Sequence, residues 1–208
     1  MIIDINSAIS VFSKSADIII ASRDLLEELD SASGDGDLGI SMERGANAVK
    51  SVLAASSAEK DIGSLFIKCA LALNKEAPST LGTLLSSALL AAGKEVKGKN
   101  EISESDVVNL IGIMTSSIME RGKASLGDKT ILDAMIPMRD TLNKCHDQGL
   151  SLGESVKAAA AAASAGAEST KGLVARTGRA KWIGERAKDS IDGGAVLCSI
   201  IINHLSKV

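Results

Sequence analysis

The sequence predicts an all-α protein, and three observations carry that expectation. Hydrophobic residues make up 45% of the 208 while aromatics make up 1%, with Phe12, Phe66 and Trp182 as the whole aromatic complement. A core built from Ala, Leu, Ile, Val and Met suits helices that approach one another closely. Only two prolines occur, Pro78 and Pro137, and long stretches of good helix formers run between polar breaks, whereas strand signals are weak.

Helical patterns are expected at about 5–29, 40–55, 62–75, 79–96, 103–121, 129–148, 151–170 and 178–206, the last broken near Gly193-Gly194. The first two enclose LLEELDSASGDGDLGISMERG, so Ser31 to Leu38 reads as a loop between helices. Pro78-Ser79-Thr80 stands at the start of the fourth. Before the fifth, Ser103 and Asp106 have the spacing of a capping box with Asp in place of Glu. Within it Val107, Leu110, Ile111, Met114 and Ile118 recur at steps of three and four and mark a core face. Gly149 and Gly153 separate the sixth pattern from the seventh, where a helix end and a tight connection are expected. In KAAAAAASAGAES, Lys157 to Ser169, the helix propensity of alanine favours a helix over a low-complexity linker, and small side chains on all sides permit close packing. With no repeat at a solenoid period and no long charged tail, residues 1–208 read as one domain.

Composition also excludes partners. A net charge of -3 supplies no basic field for nucleic acid, and no run of 18 apolar residues supports a membrane span. Cys69, Cys145 and Cys198 are odd in number, widely spaced and set among apolar residues, which predicts buried free thiols rather than a disulfide framework or a zinc site. Cys145 and His146 are adjacent on one helix and do not face each other, so no nucleophile is read from them. MIIDINSAIS carries an acid at Asp4 and no basic n-region, so a signal peptide is not expected and the protein is read as cytoplasmic.

GDGDLG, Gly34 to Gly39, fits the glycine pattern of dinucleotide-binding turns, but such a turn follows a strand and rests a pyrophosphate on bare N–H groups. Here the flanks are helical and aspartates stand between the glycines. A calcium loop fails as well, because the twelfth position is Ala46 counted from Asp35 and Ser41 counted from Asp30, and the closing Glu is missing. Two readings stay open: a solvated acidic loop, or Asp30, Asp35 and Asp37 converging on a cation. Carboxylates at roughly 5 Å repel by about 3 kcal/mol per pair at an effective dielectric of 20, so convergence without a cation is unfavourable. Hard oxygen ligands in small number suit Mg²⁺, and glycines let the backbone turn so that Asp35 and Asp37 point the same way.

Three further Gly-rich stretches lie between helices: APSTLGT (Ala77 to Thr83), RGKASLGDKT (Arg121 to Thr130), and ARTGRAKWIGER (Ala175 to Arg186) with DGGA (Asp192 to Ala195). Pro78-Ser79-Thr80 opens a helix, where N–H groups and hydroxyls favour an anion. Arg176, Arg179 and Arg186 offer planar donors to phosphate. Together these suggest a nucleotide phosphate site on loops at one end of a helical bundle. A Walker A loop is absent, since Gly122-Lys123 is followed by Ala124 and Ser117 stands where the first Gly belongs; H-R-D and D-F-G are absent too.

LLEELDSASGDGDLG, GKASLGDKTILDA and GRAKWIGERAKDSIDGGA, in that order from about residue 20 onward, resemble the L subunit of dihydroxyacetone kinase and the nucleotide-binding domain of the single-chain, ATP-dependent kinases. The resemblance implies an antiparallel barrel of about eight amphipathic helices with the nucleotide, ADP or ATP, held by loops at one end. It implies that Asp30, Asp35 and Asp37 bind two Mg²⁺ ions bridging the nucleotide phosphates. Leu38, Gly39, Ile40 and Ser41, and the helix start at Pro78, Ser79 and Thr80, fall near the phosphates. Gly122 and Ile131 fall where the family encloses the base, Arg179 where it places an arginine, and Asp192 and Gly193 where a turn closes the pocket. Four departures stand out: Leu38 replaces the usual His, Ser41 replaces a common Asn, EAPST is a shortened loop, and Gly193 replaces Pro.

The activity implied is phosphoryl transfer to the terminal hydroxyl of dihydroxyacetone or a related short ketose held on a separate K-type subunit, with this chain as half an enzyme. Either ADP stays bound and is rephosphorylated by a phosphotransferase-system M subunit, or ATP exchanges as a substrate; length favours the separate-subunit form. The rival from another class is a non-catalytic nucleotide sensor that docks on a regulator, and a carrier of apolar ligands is the third reading.

Overall fold

In the computed structural model, which describes all residues except Met1, Ser57, Arg179 and Val208, the elements follow in order. They are β1 (Ile2–Asp4), α1 (Ile5–Ala21), α2 (Arg23–Ser33), α3 (Leu38–Ala54), α4 (Ile62–Glu76), α5 (Thr80–Glu95), β2 (Glu101–Ser103), α6 (Glu104–Gly122), α7 (Leu132–Asp147), α8 (Leu152–Glu168), α9 (Ala180–Ile183), a 3-10 turn (Gly184–Ala187) and α10 (Gly193–Leu205). Helix α1 packs on α3, and from there each helix packs on the next through α8; α8 packs on α10, and α10 returns to α1. The ring closes as a barrel of eight helices, with α2 lying on α3 and reaching α10. Short connections make ring neighbours antiparallel. One end therefore gathers the α2–α3, α4–α5, α6–α7 and α8–α10 connections, and the other end gathers the rest.

The caps explain most boundaries. Ser79 receives the N–H of Gly82, Asp61 that of Ser64 and Asp192 that of Ala195, each satisfying an otherwise orphaned donor of the first turn. Ser103 with Asp106 and Ser151 with Glu154 form reciprocal capping boxes. The Lys99 ammonium, 2.8 Å away, and the N–H and hydroxyl of Ser103 hold the Asp106 carboxyl down at about 2.

Three boundaries differ from the sequence expectation. The first pattern, 5–29, is two helices broken at Ser22, whose N–H is shared by the carbonyls of Ile18 and Ile19 at 3.0 and 3.1 Å, and α2 continues to Ser33. The expected break in the pattern 178–206 falls at 188–192, and Gly193 and Gly194 begin α10 just after it, because Asp192 caps there. Helix α7 starts at Leu132, not 129, since Lys129 takes a left-handed φ of 61°. Two strands of three residues, paired with Ile3 opposite Ile102, were too short to leave a pattern.

The interior is aliphatic, as the composition required. One cluster centres on Leu132, Met135, Met138, Ala159 and Ala163, another on Leu26, Met42, Ile62, Leu65 and Leu197. Leu81, Leu85 and Met114 pack on both. Phe12 and Phe66 meet edge to face at 4.8 Å, joining α1 to α4. In the alanine-rich α8, Ala159, Ala160, Ala163 and Ala167 are buried. Pro137 within α7 has no N–H to give the Asp133 carbonyl, and Gly166 of α8 lies against that same carbonyl. Cys69, Cys145 and Cys198 are free and buried, and burial pushes the Cys69 and Cys198 thiols up to about 12. Among the described residues no helix is long and apolar enough to cross a membrane.

Two glycines of opposite environment test this packing. A Cβ on Gly63 would sit 2.6 Å from the Lys97 nitrogen, whereas one on Gly112 would meet nothing within 4 Å. Gly63→Ala is expected to cost about 1–3 kcal/mol. Gly112→Ala is expected to stabilise by about 0.5–1 kcal/mol through helix propensity. Denaturant unfolding of the two variants checks the opposite signs.

Candidate functional site

Asp30 lies in the last turn of α2, and its Oδ2 accepts the backbone N–H groups of Asp37 at 3.0 Å and Leu38 at 3.3 Å. The loop is thereby folded back over the helix that precedes it. Gly36, between the other two aspartates, takes a φ of 76° that other residues adopt only under strain. Gly34 is required for space, because a Cβ there would collide with the Asp30 carboxylate. As a result Asp30, Asp35 and Asp37 each offer one carboxylate oxygen, and these lie within 4.8 Å of one another. Asp30 is half-buried and the other two are exposed. Three hard oxygen donors without nitrogen or sulfur fit a divalent ion such as Mg²⁺ that keeps positions for water and phosphate.

The triad forms one wall of a cleft at the barrel end. Leu38, Ser79, Thr80, Gly122, Ile131, Asp192 and Gly193, all singled out from the sequence, line it as well. Gly39, Ile40, Ser41 and Pro78 do not. Gly39 is buried where a side chain would strike the Arg23 carbonyl, so it serves the approach of α3 to α2. Ile40 is 40% exposed, and Pro78 is exposed one residue ahead of the cap. Ser41 is set back from the wall, where its hydroxyl donates to Ser79 Oγ at 3.1 Å. Arg179 lies outside the described residues.

Four helices, α3, α5, α7 and α10, present their N-terminal turns to the cleft through Leu38, Thr80, Leu132 and Gly193. The positive ends of the helix dipoles there favour an anion, while the N–H groups of Leu38, Gly82, Leu132 and Ala195 are already taken by Asp30, Ser79, Thr130 and Asp192. Gly193 and Gly194 leave the start of α10 without side chains. Leu38 uses part of that space: a Cβ on Gly193 would lie 2.6 Å from Leu38 Cδ2. Two departures from the family pattern, Leu38 and Gly193, therefore touch.

Leu81, Lys129, Thr130, Thr177, Gly178 and Gly194, which also line the cleft, belong to the Gly-rich stretches read from the sequence but were not singled out within them, and Leu84 lay outside those stretches. Behind them Asp133, fully buried, accepts the N–H of Gly127 at 2.6 Å and of Thr130 at 2.8 Å and so shapes the α6–α7 loop. The spacing Thr130-x-x-Asp133 carries the signal of a helix start and would have pointed to it. Lys129 had no such local signal, because its partners are distant in sequence.

Asp192 caps α10 with its carboxylate 2.7 Å from the Ala195 nitrogen. Desolvation nevertheless pushes its carboxyl up to about 7; the Ala195 N–H and the Lys129 ammonium oppose that rise, and the neighbouring Asp133 adds to it.

A closed helical barrel with carboxylates, helix N-termini and hydroxyls gathered at one end defines a class of all-α scaffolds whose inter-helix loops build a polar cleft. The model of the DAK2 domain matches residues 32–207, and the chain belongs to that family. It is 34% identical over 91% of its length to the PEP-dependent dihydroxyacetone kinase 2, ADP-binding subunit DhaL, of Listeria innocua, covering 90% of that protein. To the corresponding PEP-dependent kinase subunit of Escherichia coli it is 30% identical, again over 91% of this chain and 90% of the relative. L-erythrulose kinase of Pectobacterium atrosepticum is 32% identical over 92% of this chain, which spans 33% of that longer protein. In fold, the chain is similar to the dihydroxyacetone kinase of C. freundii, with a TM-score of 0.76 and 24% identity over 96% of this chain and 34% of that one.

The Asp192 environment has a testable sign. A carboxyl whose folded pKa is raised from 3.8 to about 7 binds its proton more tightly in the folded state, so its contribution to stability falls as pH rises between those values and is level above them. Asn keeps the cap without the charge. Thermal melts of the nucleotide-free protein at pH 5 and pH 8 should show Asp192→Asn gaining stability over the parent at pH 8, with a smaller gap at pH 5.

Proposed function

We propose that this chain is the nucleotide-binding subunit of a dihydroxyacetone or related short-ketose kinase. The observation that carries the reading is the convergence of the Asp30, Asp35 and Asp37 oxygens within 4.8 Å, in a cleft that four helix N-termini face. Asp30, Asp35 and Asp37 would hold Mg²⁺, two ions in the reading the family resemblance supports. When bound, Mg²⁺ supplies charge neutralisation to the phosphoryl oxygens. The N-terminal turns of α5 and α10 bind and orient the phosphates, Ser79 being occupied as a cap and Thr80 free to face the cleft. Gly122, Leu84 and Ile131, on the apolar side of the cleft, enclose the base and exclude water.

The described residues form no ketose site of their own in this reading; the ketose and the group that takes its proton belong to a K-type subunit. Two relatives are described as PEP-dependent and ADP-binding, which supports ADP as a retained coenzyme recharged by a phosphotransferase-system M subunit. A solved relative is described as a complex with AMP-PNP and Mg²⁺, which supports a magnesium-bound nucleotide as the ligand.

Calorimetric titration with ADP and ATP, each with and without Mg²⁺, tests the site. Asp35→Asn with Asp37→Asn should weaken Mg²⁺-dependent binding more than about 100-fold, roughly 2.7 kcal/mol, with far-UV circular dichroism unchanged. Undiminished binding would remove the metal assignment. Mixed with a K-type subunit, dihydroxyacetone and a phosphate donor, the chain should yield the phosphorylated ketose; no product with any donor would return it to a nucleotide sensor. An ADP dissociation time of minutes or longer is expected for a retained coenzyme.

A further inference from the structure

We infer that Lys129 is a positioning residue that clasps the two ends of the loop between Leu173 and Ala187, and so sets Thr177 and Gly178 against the nucleotide cleft. The inference rests on the nucleotide site proposed above. Lys129 is 2% exposed, and its Nζ donates to the backbone carbonyls of Leu173 at 3.2 Å, Ala187 at 2.8 Å, Lys188 at 3.2 Å and Ser190 at 2.6 Å. Leu173 immediately precedes the loop and the other three follow it, so one ammonium ties its two ends together. An ammonium carries three protons, and four acceptors mean that at least one is shared. No carboxylate lies within ion-pair distance among the described contacts of this amine, although the charges of Asp192 and Asp189 favour its protonated form.

Desolvation of that ammonium lowers its pKa, a cost that a surface lysine would not carry. The backbone adds another, since Lys129 adopts φ 61°. Both are tolerated at a residue whose neighbours Asp128 and Thr130 are also engaged. Asp128 accepts the Arg176 N–H through its carbonyl at 3.2 Å and faces the Arg176 guanidinium at 3.6 Å. Gly172 donates to Lys188 at 2.8 Å beside the clasp. Loops whose ends are held together move or hold as units. This one carries Thr177 and Gly178 into the cleft wall and leaves Trp182 87% exposed on its outer side.

Trp182 is the sole tryptophan and no tyrosine occurs, so intrinsic emission reports this loop alone. The experiment compares the full chain with Lys129→Met and Lys129→Arg by Trp182 anisotropy, by tryptic cleavage at Lys181 and Arg186, and by calorimetry with Mg²⁺-ADP. For Lys129→Met the expected results are lower anisotropy, cleavage in the loop at least tenfold faster with sites on the barrel helices unaffected, and nucleotide affinity reduced about tenfold; Lys129→Arg should recover part of each. Unchanged anisotropy and cleavage, or unchanged affinity in the face of a freed loop, would overturn the inference. Should the unaltered chain bind no Mg²⁺-ADP, the functional reading fails instead, and the loop measurements still report the clasp. If Lys129→Met does not fold, hydrogen exchange on the unaltered chain decides: the Gly172 and Arg176 amides should be protected at least a hundredfold over exposed backbone, and rapid exchange at both would overturn the clasp.

Discussion

Three carboxylates whose oxygens lie within 4.8 Å of one another, within reach of a single ion, repel one another. The rest of the barrel end is arranged around that repulsion. Asp30 is eased by two backbone N–H groups from the loop it helps to fold, which ties the conformation of the loop to the charge it must carry. Gly34 and Gly36 are the residues that allow the loop to turn so tightly. An antiparallel barrel brings helix starts and helix ends to the same rim in equal measure. The cleft, however, is lined by the first turns of α3, α5, α7 and α10, while of the helices that end there only α2 and α6 contribute. The field at the cleft is consequently tilted towards anions just beside a cluster that attracts cations, and a phosphate joined to a divalent ion satisfies both.

The same end holds a second, interior set of charges. Asp133 is spent on the N–H groups of Gly127 and Thr130, Asp192 on the start of α10, and Lys129 on four carbonyls. None of these side chains is available as a simple surface charge. They shape the loops after α6 and α8, and those loops supply the walls opposite the triad. Aliphatic packing below the rim makes this possible: with alanine and glycine at the α7–α8 contact, the helices approach closely enough for Gly166 to touch the Asp133 carbonyl.

Much of the fold was legible because its signals are local. Ser103 with Asp106, Ser79 and the alanine run of α8 each mark a helix within a few residues, and the aliphatic composition announced close packing. The break at Ser22 was not legible, since isoleucine and alanine before it and arginine and leucine after it continue the helical pattern and only the bonds of its N–H to the Ile18 and Ile19 carbonyls show the break. Nor were the two short strands, which exist through pairing between Ile3 and Ile102 at opposite ends of half the chain. In the site, Gly39 and Ser41 look like phosphate-loop residues in sequence but face α2 and Ser79, because a helix that starts at Leu38 turns its next residues away from the rim.

By itself the sequence determined the helical character, the aliphatic core, the helix starts at Ser79 and Ser103 and the acidity of the loop that carries Asp30, Asp35 and Asp37, all of which depend on residues within one or two turns of each other. Tertiary structure alone decided that Leu38 fills the space beside Gly193, that Lys129 closes a loop whose two ends follow it by more than forty residues, and that Asp192 is desolvated beside Asp133. These are contacts between chain segments whose spacing leaves no periodic trace. They arise when the ring of helices closes and places distant turns at one rim.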